Sequence, residues 1–324
     1  MSKLMWGLTG ATAITAIAAL PVLHGAGRQT PAPASPPTPR TQVVMLGTGN
    51  PPADPDRSGP ATAIVVDGTP YLVDFGAGVV RRAKSAAVDK GITGLDPVNL
   101  RVAFVTHLHS DHTVGYPDLI LTPWVIGRRV PLEVYGPAGI TAMTEHILAA
   151  YQADFETRMK DRALYTVGAF REGHAVNAHE VKPGVVYKDA NVTVTAFATR
   201  HAMESYGYRF DTPDRSIVIS GDTNPTQATI DACRGCDILI HEVLTHDWLS
   251  RRQDFQAYAA AHHTTTTQLT ELATKAKPGL LVLYHASLSI RPAVDNQRST
   301  AATLLNEMAK YPGRVVVARD LDVY

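Results

Sequence analysis

His107, His109, Asp111 and His112 place four metal-ligating side chains within six residues, in the segment Thr106-His107-Leu108-His109-Ser110-Asp111-His112, and nothing else in the chain restricts its fold as strongly. The segment follows directly on Leu100 to Thr106, a mostly apolar run of the kind found in strands buried on both faces. In extended backbone His107 and His109 project to the same side. Asp111 and His112 lie past the turn and face a second position nearby. Imidazole with carboxylate is the donor set of zinc and related metals, and an ordinary polar loop does not concentrate it at a strand end.

The 324 residues are 45% hydrophobic and 19% charged, which excludes a disordered, collagenous or coiled-coil chain. Lys+Arg and Asp+Glu both number 30, so no basic excess marks a nucleic-acid binder. Two cysteines cannot form a disulfide scaffold. Cys233-x-x-Cys236 lies between a short helix and a strand, where a local disulfide is expected after export rather than a redox or zinc site. At the N-terminus Lys3 precedes an apolar stretch, Leu4 to Leu23, followed by Gly25-Ala26-Gly27. This predicts a signal peptide over residues 1–27, with an uncleaved anchor as the alternative. The proline-rich residues 28–40 read as a semi-rigid linker, and residues 41–324 as the folded domain. The expected location is periplasmic or secreted, with no stable membrane insertion after signal cleavage.

Strand signals run over Thr41–Leu46, Ala61–Val66 and Tyr71–Phe75, the last two joined across the hairpin pair Asp67-Gly68. Leu100–Thr106 is the next strand, and Gly139–Ala163 reads as mainly helix. Strands follow over Val192–Thr199, Tyr206–Phe210 and Ser216–Ser220. Helices over Thr226–Ala232, Thr266–Lys277 and Ser299–Lys310 then alternate with strands over Asp237–Ile240, Gly279–Tyr284 and Arg314–Ala318. Two halves, each beginning with strands and closing on helix–strand alternation, predict an α/β (α+β) fold: a four-layer αβ/βα sandwich.

The H-x-H-x-D-H cluster resembles the signature of the metallo-β-lactamase superfamily. Four further segments resemble that family in order: Asp74-Phe75-Gly76-Ala77-Gly78, His201 at a strand end, Ser220-Gly221-Asp222-Thr223, and Leu283-Tyr284-His285. Leu46-Gly47-Thr48-Gly49, Tyr206-Gly207-Tyr208-Arg209, Leu239-Ile240-His241-Glu242 and His263-Thr264-Thr265 are similar to the ribonuclease Z branch, which zinc arylsulfatases and some phosphodiesterases share. Thr264 stands where that branch usually has serine. The resemblance implies a first metal on His107, His109 and His201, a second on Asp111, His112 and His285, and Asp222 bridging them. The implied cofactors are two Zn2+, with Mn2+ or Fe as alternatives. The implied activity is hydrolysis of a phosphodiester or aryl sulfate ester by a metal-bridging hydroxide, with a ribonuclease Z-like nuclease or a lactonase/β-lactamase-type hydrolase as alternatives. Asp111 would also orient the nucleophile. His263 would protonate the leaving oxygen, with Glu242 as its partner. A non-enzymatic metal-binding role fits less well, because both metal sites look complete. No glycine- and basic-rich tRNA-gripping arm is visible between His112 and His201. The expected partner is a small-molecule ester, with homodimer formation left open.

Overall fold

In the computed structural model, which describes residues 39–160, 172–289 and 298–324, the apolar runs become strands covered on both faces. β1 (Thr41–Gly47), β2 (Ala61–Val66) and β3 (Thr69–Val73) form an antiparallel meander. β4 (Val102–Phe104), β5 (Leu132–Gly136) and β6 (Val176–Glu180) extend it in parallel, in chain order. The second sheet repeats this plan. β7 (Gly184–Lys188), β8 (Thr193–Ala198), β9 (Tyr206–Asp211) and β10 (Ser216–Ile219) are antiparallel, and β11 (Ile238–Glu242), β12 (Leu280–Tyr284) and β13 (Val315–Val317) follow in parallel.

Side-chain alternation along the strands sorts the core into layers. Val43, Met45, Tyr71, Phe104, Ile240 and Val282 meet between the sheets. Val44, Leu46 and Leu72 face outward onto α1 (Val79–Asp89), α3 (Tyr116–Ile126) and α4 (Ile140–Ala150); α2 (Ser110–Thr113) lies between β4 and α3, and α5 (Gln152–Lys160) follows α4 and packs Phe155 on Trp124. Leu239, Leu281 and Leu283 face the opposite outer layer. On that side lie α6 (Gln227–Cys233), α9 (Thr266–Ala276) and α10 (Ala301–Glu307), while α7 (His246–Arg251) and α8 (Gln256–His262) follow β11 and pack around a small cluster of their own, with Leu244, Trp248, Leu249 and Ala259. The result is the four-layer sandwich expected from the sequence.

Asp67 and Gly68 both take positive φ, 46° and 81°, as a hairpin turn matching strand twist requires. The helix expected over residues 139–163 is two helices, α4 and α5, divided at Tyr151; residues 161–163 lie outside the described residues. β4 is shorter than Leu100–Thr106, because a 3-10 turn over Pro97–Asn99 runs into Leu100, and Val105 and Thr106 leave the strand toward the site. The signal peptide and all of the linker but residues 39–40 also lie outside the described residues. No helix among the described residues is long and apolar enough to cross a membrane.

Pro39 to Tyr324 forms one compact unit. The C-terminal residues lie along the free edge of β1: Val43 and Tyr324 exchange backbone hydrogen bonds at 2.9 Å, and the Met45 amide donates to the Asp322 carbonyl at 3.0 Å. A chain starting at Pro39 keeps every core contact named above, so it is expected to purify folded, with the melting temperature of the 324-residue chain. Insolubility of that chain would contradict the boundary. Cys233 and Cys236 form a disulfide at the end of α6. It closes a very short loop, so Cys233→Ser is expected to cost about 2 kcal/mol of unfolding free energy in denaturant titration, with activity retained.

Candidate active site

Six strands end at one edge of the sandwich. Asp74 follows β3, His107 to His112 follow β4, His201 follows β8, and Asp222 follows β10. Glu242 closes β11, and His285 follows β12. Side chains far apart in sequence meet there because strands of like direction deliver their carboxyl ends to the same place. Asp74 and His285 take left-handed backbone, φ 62° and 53°, and Gly221 turns the chain into Asp222 at φ 60°. Non-glycine residues held in this region are a recurring form of strain at functional sites.

His107, His109 and His201 converge. His107 Nε2 lies 3.0 Å, and His201 Nε2 3.1 Å, from His109 Nδ1. The hydrogen-bond network fixes two of the tautomers. His201 Nδ1 donates to the His262 carbonyl at 2.9 Å. His107 Nδ1 lies 3.0 Å from Thr106 Oγ1, whose own proton goes to Asp74. Both Nε2 atoms are therefore bare lone pairs aimed at His109 Nδ1, which carries at most one proton. Burial and neighbouring imidazoles also hold His107 well below the usual histidine range. Three nitrogens facing one another in this way fit a cation between them.

The second group is Asp111, His112 and His285. His285 Nε2 lies 3.2 Å from His112 Nε2 and 3.1 Å from Asp111 Oδ2. Asp222, buried between the two groups, reaches His112 Nε2 with Oδ1 at 3.5 Å, and with Oδ2 reaches His285 at 3.5 Å and His107 at 4.0 Å. Its Oδ1 accepts no hydrogen bond. These spacings are near the roughly 3.3 Å separating ligand atoms in a tetrahedron with bonds of 2.0–2.1 Å. The seven residues fit a divalent-metal centre, with Asp222 shared.

Asp74 supports this centre and was not singled out as a site residue by the sequence, although the turn containing it was. Its carboxylate accepts from His112 Nδ1 at 2.8 Å, the Thr106 amide at 2.8 Å and Thr106 Oγ1 at 3.0 Å. That fixes the His112 ring with Nε2 toward Asp222, as carboxylates behind ligating histidines do. Burial opposes a charge on His112, but Asp222 and Asp74 on either side win and raise its pKa well above the usual range. The cluster thus stabilises positive charge at that point, whether from a proton or a metal.

His263 lines the same cavity. Glu242 is fully buried, and its Oε1 takes hydrogen bonds from the Thr223 amide at 3.2 Å, the Thr264 amide at 3.1 Å and His263 Nδ1 at 3.2 Å. Burial lowers the His263 pKa, but Glu242 outweighs it and raises the value to about 9. At neutral pH His263 therefore holds a proton to give. The Thr264 hydroxyl donates to the Thr223 carbonyl at 2.6 Å, joining this segment to the Asp222 turn. His262 contributes its backbone carbonyl to His201. His241 is buried, with Nδ1 near the Glu242 carbonyl at 2.7 Å and Nε2 unpartnered, and it holds none of the ligands.

The sequence matches the family described as "Beta-lactamase superfamily domain" over residues 62–286. The chain belongs to the metallo-β-lactamase superfamily, in its ribonuclease Z branch. It is 32% identical over 287 residues to Ribonuclease Z of Mycobacterium bovis (strain BCG / Pasteur 1173P2), covering 86% of this chain and 96% of that one. Among solved structures, the fold is similar to the metallo-β-lactamase fold protein YhfI from Bacillus subtilis (TM-score 0.63, 19% identity, 88% of this chain and 99% of that one). It is also similar to the short form of human tRNase Z (TM-score 0.60, 22% identity, 87% and 98%). The chain is a metal-dependent hydrolase of this superfamily.

Proposed function

We propose that this protein is an exported phosphodiesterase of the ribonuclease Z type that cleaves nucleotide esters or accessible single strands with two divalent ions, zinc by preference. The observation that carries the reading is His263, hydrogen-bonded to the buried Glu242 and facing the cavity of the seven-residue cluster. The 32% identity to proteins named Ribonuclease Z favours a phosphodiester over an aryl sulfate. The disulfide Cys233–Cys236 supports an oxidising compartment. The charge balance, with no basic excess, supports small or flexible substrates over a folded RNA.

Bound at the seven ligands, a pair of divalent ions supplies Lewis acidity toward the phosphoryl oxygens and makes water nucleophilic at neutral pH. The residues do the rest. Asp111, at the cavity wall, orients the attacking water. Glu242 holds the His263 ring, and His263 gives its proton to the departing oxygen.

The test is a panel on the purified mature protein: bis(p-nitrophenyl) phosphate, p-nitrophenyl sulfate, a short single-stranded RNA and a folded precursor tRNA. Turnover of the phosphodiester and the single strand, lost with chelator and restored by zinc, is expected. Turnover of the sulfate alone, or of the precursor tRNA alone, would overturn the reading. Export predicts a purified mass from the native host shorter than the full chain by about the signal peptide; the intact chain recovered from the cytoplasm would contradict it.

A further inference from the structure

The cavity of about 410 Å³ at the metal centre has a second wall that the hydrolytic residues do not use. Between β11 and His263 the chain forms α7, a 3-10 turn over Gln253–Phe255, and α8. Three rings from this segment line the cavity: Trp248, Phe255 and Tyr258. Trp248 lies 5.2 Å from Phe255 between ring centroids, Phe255 lies 5.0 Å from Tyr258, and Tyr258 lies 5.7 Å from His263. The rings thus step from the outer wall to the proton donor. The Arg252 guanidinium lies over Trp248 at 5.5 Å and over Phe255 at 5.7 Å, and pairs with Asp254.

This wall is braced. Glu307 accepts from the His246 and Asp247 amides that open α7, and from Thr266 Oγ1 at the start of α9. Asn224, two residues past Asp222, donates to the carbonyls of Ala260 and His263. Trp248 is nearly buried and Phe255 half-buried, yet Tyr258 is 37% exposed. A ring that large, left open beside a polar metal centre, offers a face to a ligand. A phosphate makes no use of an aromatic face, whereas planar rings stack on it. The volume suits a group of nucleoside size.

We propose that Phe255 and Tyr258, backed by Trp248 and Arg252, form a stacking subsite for a planar ring, nucleobase or aryl, carried by the phosphodiester next to the scissile bond. The inference rests on the phosphodiester reading.

Three esters with one leaving group test it: thymidine 5′-(p-nitrophenyl) phosphate, phenyl p-nitrophenyl phosphate and methyl p-nitrophenyl phosphate, each assayed with the zinc-loaded mature protein. A stacked ring raises kcat/KM over the methyl ester by about 5- to 100-fold, chiefly through KM. In Tyr258→Ala and Phe255→Ala that preference falls toward one; Tyr258→Phe, which keeps the ring, keeps it. A thymidine ester favoured over the phenyl ester identifies a nucleobase site, and equal preference identifies a general aryl site. Equal kcat/KM for all three esters in the wild type, or a preference unchanged in both alanine variants, would overturn the subsite. Should no ester turn over with metal bound, the phosphodiester reading fails, and calorimetric binding of thymidine 5′-monophosphate judges the subsite separately. A Kd about tenfold weaker in Tyr258→Ala supports it; an unchanged Kd or no binding overturns it.

Discussion

Asp222→Ala should leave less than about one part in 10⁴ of the wild-type activity and no more than one metal per chain. Asp222 lies within 3.5 Å of His112 and His285 and 4.0 Å of His107, so its loss strips one shared oxygen donor from both groups at once. It also leaves His112, held on its other side by Asp74, without the second of the two carboxylates that favour positive charge there. Elemental analysis and turnover of bis(p-nitrophenyl) phosphate should fall together. Asp222→Asn keeps the shape and removes the charge, and separates coordination from packing: metal lost in both variants marks a ligand, whereas metal retained in both, with activity near wild type, would mean that the shared carboxylate is another residue.

His263→Ala should lower kcat by about 10²–10⁴ for esters with alkoxide leaving groups and full metal content. For nitrophenyl esters, whose oxygen departs without a proton, the loss should be small. The expected difference rests on the proposed mechanism: His263 contacts Glu242 through Nδ1 and borders the cavity, where its proton would serve the leaving group. Glu242→Gln should show the same leaving-group dependence in weaker form, because the two amides still hold the side chain but the charge that raises the His263 pKa is gone. Equal losses across leaving groups would mean that His263 positions substrate instead.

The H-x-H-x-D-H cluster was legible because four donors crowd the end of one apolar strand, whereas His201, Asp222 and His285, each of which alone reads as a core or turn residue, were reached through the family resemblance. The central strands were legible for a related reason: β2 and β10 are runs of small or β-branched, mostly apolar residues, as strands buried on both faces are. Three strands were not. β6, with the sequence VNAHE, exposes polar residues at one sheet edge, β7, with GVVYK, holds only a three-residue apolar run at another and leaves Val185 exposed, and β5 is only half covered. α3 carries Pro123 inside the helix, which reads as a breaker until the structure shows it accommodated. Asp74 was hidden because its work, aiming His112, depends on a contact 38 residues away. The aromatic wall was hidden because Trp248, Phe255 and Tyr258 have the spacing of an ordinary core; only the fold shows that Tyr258 faces the cavity.

The pairing of β1 with the last residues sets an order of events. The first strand of the domain cannot seal its outer edge until the final residues of the chain are available, some 280 positions later. While residues 321–324 are not yet paired, that edge stays bare, an invitation to strand-to-strand aggregation. Any tag fused after Tyr324 loads the seam on which the fold completes itself.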